Sequence, residues 1–254
     1  LPDNTSIDEN GSGSIAGCNL VELAEEYGTP LFVYDENHLR ARCREAVKAF
    51  GEGVAYAGKA FLCGAMSRLV VEEGMNIDVA TGGELYMALH AGIDGSRLIM
   101  HGNNKSESEL RMALEAGVSR IVVDSFDELE RLQILHKETG ISPKILLRIT
   151  PGVEAHTHEY ITTGEEDSKF GFTLSTGLAE KAIEIANNSE AIELMGIHAH
   201  IGSQVFTEES FRKSTETLAE LANRFSLPEL CVGGGLGVPY LNDESSISIA
   251  EWGA

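Results

Sequence analysis

Three segments carry residue types that could do chemistry together. The first is Val54-Ala55-Tyr56-Ala57-Gly58-Lys59-Ala60, which reads as a buried strand ending in one lysine. Lysine is rare in an interior unless it is paired or used, and an amine fixed at a strand end can form a Schiff base with an aldehyde. The plainer alternative is a lysine whose stem lies along the strand and whose head reaches water. The second segment is His198-Ala199-His200-Ile201-Gly202-Ser203-Gln204. Its two histidines stand two residues apart, so on a strand they share a face. They could bind a metal, or one imidazole could pack on a ring while Ser203 donates to an anion. They could also be core histidines bonded to their neighbours. The third is Gly233-Gly234-Gly235-Leu236-Gly237, behind Leu230-Cys231-Val232. Glycines there either let backbone N–H groups approach a phosphate closely or simply make a tight turn.

Elements able to position these groups follow from the pattern of the whole chain. Strand candidates are Leu31–Tyr34, Val54–Lys59, Ile77–Ala80, Leu98–His101, Ile121–Val123, Ile145–Ile149, Gly196–Ile201 and Leu230–Gly233. Several are apolar on both faces, as strands covered by helices are. Helical patterns alternate with them: Glu36–Phe50, Gly83–Ala91, Ser106–Ala116, Phe126–Glu138, Thr176–Asn187 and Glu208–Arg224. Ser106 with early acids reads as a helix N-cap. Such alternation implies a parallel sheet with right-handed crossovers. From Val54 on, the spacing predicts seven strands of a (β/α)8 barrel without the eighth, and a last helix beginning near Glu251-Trp252-Gly253-Ala254. A doubly wound open sheet is the alternative. In a barrel the chemistry sits at the C-terminal strand ends. Lys59, Asp78, His101, Asp124, Arg148, His198, His200 and the triple glycine all fall there, with Thr81 to Glu84 just past the second strand.

Composition removes several functions. The 254 residues carry a formal net charge of −21, so no nucleic-acid partner is expected, because phosphate backbones demand clustered Lys and Arg. No apolar run approaches the ~20 residues of a membrane span, and Leu1 to Gly17 is too polar and acidic for a signal peptide. Scattered Cys18, Cys43, Cys63 and Cys231 suit free thiols in a reducing cytoplasm. A metal site on His198 and His200 would need further ligands from His101, His156, His158 or Asp124. These form no metal signature, and no metal is expected.

The order of Lys59, His200-Ile201-Gly202-Ser203 and Gly233-Gly234-Gly235 resembles the pyridoxal-phosphate-dependent decarboxylases of basic amino acids with the alanine racemase fold. Further matching blocks are Gly28-Thr29-Pro30-Leu31-Phe32-Val33-Tyr34-Asp35, Asp78-Val79-Ala80-Thr81-Gly82-Gly83-Glu84-Leu85, Arg148-Ile149 with Pro151-Gly152, and Ser168-Lys169-Phe170-Gly171. The likeness runs from Cys18 to about Tyr240 and within the family points to diaminopimelate as substrate. It implies Lys59 as the lysine joined to pyridoxal 5'-phosphate and His200 as the imidazole stacked on its ring. Ser203, Gly233, Gly234 and Gly235 would form the phosphate cradle. Asp78 and Glu84 would be acids near lysine and ring, although a helix-capping role is the alternative for both. Arg148 would lie close to the cofactor. The implied reaction converts meso-2,6-diaminopimelate to L-lysine and CO2 through an aldimine, in a cytoplasmic homodimer. The same fold also serves ornithine, arginine and carboxynorspermidine decarboxylases, racemases and non-catalytic pyridoxal-phosphate-binding barrels.

The chain departs from the family in two places. No Glu-Pro-Gly-Arg segment follows the glycine loop, and no C-terminal β-domain is found. The expected organisation is therefore residues 1–35 as a segment whose strand Leu31–Tyr34 joins such a domain, and residues 36–254 as an incomplete barrel. On this reading the chain is truncated and decarboxylates poorly alone.

Overall fold

The computed structural model describes residues 2–153, 169–241 and 245–254. Residues 2–19 form a three-stranded antiparallel meander, β1 (Thr5–Ile7), β2 (Gly13–Ile15) and β3 (Cys18–Asn19), which the sequence pattern did not announce. Asn19 then caps α1 (Leu20–Tyr27) by accepting from Val21 and Glu22 N–H groups. The expected strand at Leu31–Tyr34 is not one: these residues pair with no strand, and Phe32 is 87% exposed. Its apolar side chains find no sheet edge among the described residues.

The rest is a repeating βα unit. In chain order it runs α2 (Glu36–Phe50), β4 (Ala55–Ala57), α3 (Gly64–Glu72), β5 (Asn76–Val79), α4 (Gly82–His90), β6 (Leu98–Met100) and α5 (Glu107–Ala116). Then come β7 (Arg120–Val123), α6 (Phe126–Thr139), β8 (Lys144–Thr150), β9 (Phe172–Thr173), α7 (Leu178–Asn187), β10 (Glu193–His198), α8 (Glu208–Arg224), β11 (Glu229–Cys231) and α9 (Ile249–Gly253). The sheet order is β11-β10-β8-β7-β6-β5-β4, parallel throughout, with β9 beside the end of β8. Each strand lies next to its predecessor without a reversal of direction. A doubly wound sheet requires such a reversal, so the barrel-type reading holds. Among the described residues the sheet is open between β4 and β11.

Period two sorts the strands' side chains. Ile77, Val79, Leu98, Met100, Ile121, Val123, Ile145, Leu147, Ile149 and Ile197 pack with the helices in one apolar core. The intervening residues face the other way: Asp78, Ile99, Val122, Leu146, Arg148 and His198. Helix ends are fixed locally. Ser106 and Glu109 form a capping box on α5, and Glu109 also accepts the Gly82 N–H at the start of α4, 2.7 Å away. Short α9 joins the two ends of the helical layer. Trp252 packs 4.8 Å from Phe50 of α2 and 4.8 Å from Phe211 of α8, ring centre to ring centre.

One charged pair lies inside. Lys105, after β6, is fully buried with its ammonium 2.8 Å from Glu128 of α6, and it donates to the Val122 carbonyl at 2.7 Å. Breaking a buried pair leaves an uncompensated charge, whereas removing both partners does not. Lys105→Met is therefore expected to destabilise the chain by about 3–5 kcal/mol. Lys105→Met combined with Glu128→Leu should recover most of that loss, as read by urea denaturation.

Candidate functional site

Seven parallel strands bring their inner faces to one end. Register puts Arg148, His198 and Cys231 side by side on β8, β10 and β11, and Ala57 beside Asp78 on β4 and β5. Two residues beyond Ala57, His198 and Cys231 stand Lys59, His200 and Gly233, while His101 and Asp124 directly follow the last residues of β6 and β7. Strand β4 stops at Ala57, so the predicted strand Val54–Lys59 is shortened. Lys59 sits instead in a 3-10 turn, Gly58–Ala60. Tyr56 closes that turn by donating its hydroxyl to the Phe61 carbonyl at 2.8 Å. The Lys59 side chain is exposed and enters no hydrogen bond or ion pair among the described residues.

The charges that act on one another define which residues meet. Burial holds the His200 imidazole down to about 4, helped by the positive charges of Arg148, Lys59 and His101 and opposed by a hydrogen bond with the Gly234 backbone. His198 is buried and held well below its usual value by burial and then by His101, Arg148 and His200. Its ring meets His101 edge to face at 5.1 Å, and among the described residues its Nδ1 has no hydrogen-bond partner. His101 Nε2 in turn lies 3.2 Å from Asp78 Oδ1. Lys59, Asp78, His101, Arg148, His198 and His200 thus share one mouth, and both β10 histidines are neutral at pH 7.

Glu84 does not join them. Its carboxylate accepts the Ala80 N–H at 2.7 Å, and its own N–H is capped by Thr81, so the helix-capping alternative holds for it. Among the described residues no three His, Cys, Asp or Glu side chains converge as metal ligands would. His156, His158 and Ser168 lie outside the described residues.

The loops after β10 and β11 are pressed together. A Cβ at Gly233 would lie 2.1 Å from the Ala199 carbonyl, and one at Gly235 would lie 1.8 Å from the Gly202 carbonyl. Both glycines also have positive φ, so only glycine fits either place. The loops exchange Val205 N–H to Gly235 O and Gly237 N–H to Val205 O, each 2.9 Å. Gln204 continues this pairing with its side chain, donating to the Val238 carbonyl at 3.1 Å and accepting the Val238 N–H at 3.0 Å. A Cβ at Gly234 would meet nothing within 4 Å. Among the described residues the N–H groups of Gly234 and Gly235 donate to no acceptor, and the Ser203 hydroxyl has no partner. Unsatisfied backbone donors on an open glycine turn suit an anion. The sequence pattern missed Lys105, which sits in the polar run Asn103-Asn104-Lys105-Ser106, and gave Gln204 no task although it quoted the motif.

Comparison with known proteins agrees with this geometry. The family model described as "Pyridoxal-dependent decarboxylase, pyridoxal binding domain" matches residues 36–253. The diaminopimelate decarboxylase of Mycobacterium tuberculosis is 47% identical over 100% of this chain and 59% of its own length. That of Bacillus subtilis is 49% identical over 96% of this chain and 58% of its own. A crystal structure of diaminopimelate decarboxylase from M. jannaschii in complex with L-lysine superposes with a TM-score of 0.90 at 32% identity, covering 99% of this chain and 61% of that one. The chain therefore spans about three fifths of the length of these relatives.

The low His200 value has a measurable consequence. In the unfolded chain an imidazole takes a proton near pH 6.5, but folded His200 refuses it until about pH 4. The unfolded state thus binds more protons in that window, and stability is expected to fall as pH drops from 6.5 towards 4. Histidine NMR titration should find the His200 resonances unchanged at pH 5.5, and urea midpoints should decline more shallowly in His200→Gln.

Proposed function

We propose a function from one premise: the chain belongs to the pyridoxal-dependent decarboxylases, as their pyridoxal-binding domain, matched over residues 36–253. Pyridoxal phosphate is the cofactor of this family. The whole protein's reaction, on our reading, is decarboxylation of meso-2,6-diaminopimelate to L-lysine and CO2. It works as a cytoplasmic homodimer. Among the described residues no helix is long and apolar enough to cross a membrane. Residues 36–254 form the cofactor-binding barrel domain. Leu31–Tyr34, in the segment 1–35, joins a second domain, which would cover the exposed Phe32.

The observation that carries the reading is one unpartnered amine beside a neutral imidazole and an unsatisfied glycine turn. Lys59 is the nucleophile for the cofactor's aldehyde, because its amine is accessible and engaged by no other group among the described residues. Lys105 is the control within the same chain: its ammonium is buried and held by Glu128 and two carbonyls. Gly234 and Gly235 offer N–H groups to the phosphate, with Gly233 setting the turn and Ser203 adding a hydroxyl. His200, neutral and held by Gly234, presents its ring to the cofactor ring without adding charge. Asp78 contributes a negative charge on the inner face, steadied by His101, and Arg148 a positive one for an anionic group. When bound, pyridoxal phosphate supplies the electron sink that carboxyl loss requires. The protein's share is orientation and electrostatics.

Addition of pyridoxal phosphate, borohydride reduction and peptide mapping should place the label on Lys59 and leave Lys105 unlabelled. Label spread over surface lysines, with Lys59 bare, would remove the proposal. Lys59→Arg keeps the charge without an amine able to condense, and should reduce labelling to background. Release of CO2 from meso-diaminopimelate, compared with L-ornithine and L-arginine, tests the substrate.

A further inference from the structure

Asp124 is almost fully buried at the end of β7, and nothing in the reading above uses it. Two layers of contacts hold it. Behind it, its N–H donates to Glu128 at 3.0 Å, and Glu128 is paired with buried Lys105, whose carbonyl accepts from Arg131. In front, Asp124 Oδ1 accepts the Gly171 N–H at 2.9 Å and lies 3.8 Å from Nη1 of Arg148. Among the described residues Oδ2 has no hydrogen-bond partner. Arg148 and the Phe170–Gly171 segment are themselves in contact. The guanidinium lies 4.3 Å above the Phe170 ring, and a Cβ at Gly171, where φ is +69°, would lie 2.5 Å from the Arg148 carbonyl. Thr150 adds a hydrogen bond to the Phe170 carbonyl.

A separation of 3.8 Å is too long for a hydrogen bond, so the carboxylate steers Arg148 by charge while binding Gly171 directly. Among the described residues the guanidinium makes no hydrogen bond, which leaves its donors for a ligand. We propose that Asp124 is a positioning residue for Arg148: it fixes the guanidinium against the Phe170–Gly171 backbone so that its donors are presented to an anionic oxygen bound at the mouth. This rests on the reading of the mouth as the cofactor and substrate site. The buried Lys105–Glu128 pair is the support that stops Asp124 from turning away.

The test uses the full chain with Asp124→Asn, Arg148→Met and the double variant. Without cofactor, phenylglyoxal modification of Arg148 should rise several-fold in Asp124→Asn. Hydrogen exchange at the Gly171 amide should stay slow, because a carboxamide oxygen still accepts that bond. Absorbance titration should show the Kd for pyridoxal phosphate raised about tenfold in each single variant, with less than a twofold further change in the double variant. A raised KM for the amino acid with an unchanged cofactor Kd would equally support the proposal and assign the anion to the substrate carboxylate. Equal effects of Asp124→Asn with and without Arg148 would mean a structural role only and would overturn it. So would Arg148 reactivity and Kd both unchanged from the parent chain. If the parent chain binds no pyridoxal phosphate, the reading of the mouth fails, while the phenylglyoxal arm still decides whether Asp124 holds Arg148. Should Asp124→Asn not fold, Asp124→Glu replaces it, since it keeps the charge but moves it by one methylene; Arg148 reactivity unchanged there would count against the proposal.

Discussion

The approach of one backbone to another at the mouth of the sheet is the constraint on which the site depends. The loop after β10 and the loop after β11 meet so closely that Gly233 and Gly235 cannot carry a side chain. That contact sets where His200 lies, because its ring bonds to the Gly234 backbone. It also turns the Gly234 and Gly235 N–H groups away from any partner among the described residues. In a packed interior an unpaired donor is costly. A turn that leaves two of them at an opening is suited to a ligand rather than to the fold. Gln204 adds a second tie between the same loops, with a side-chain amide acting as one more residue of backbone.

Strand-end positions made much of this legible from the sequence. Residues ending successive strands were read as lining one mouth, and the structure places Lys59, Asp78, Arg148 and His200 at that end of the sheet. Helices were legible from an apolar stripe, as in Glu36–Phe50 and Glu208–Arg224, and at Ser106 a cap coincides with one. Strand ends were not. Val54–Lys59 was drawn too long because alanine and glycine carry no signal that separates a strand from the turn closing it. Leu31–Tyr34 has the composition of a strand, but a strand exists only when an edge receives it. Lys105 was invisible for the opposite reason: its neighbours are all polar, and its burial comes from Glu128 on a helix more than twenty residues away.

Two lysines illustrate how surroundings divide one side-chain chemistry into two tasks. Lys105 is enclosed by a carboxylate and carbonyls, so its charge is matched and its nitrogen is engaged. Lys59 stands exposed in a short turn and enters no hydrogen bond or ion pair among the described residues. The first is committed to the fold; the second is left accessible, as the proposed imine requires. Asp124 and Asp78 divide similarly, one buried against backbone and guanidinium, the other half-open beside His101.

The chain has a single tryptophan, and α9 wedges it between Phe50 of α2 and Phe211 of α8. Its indole is therefore a built-in optical gauge of that seam. A change in emission colour would report the first and last helices of the layer parting, even while the far side of the sheet stayed intact.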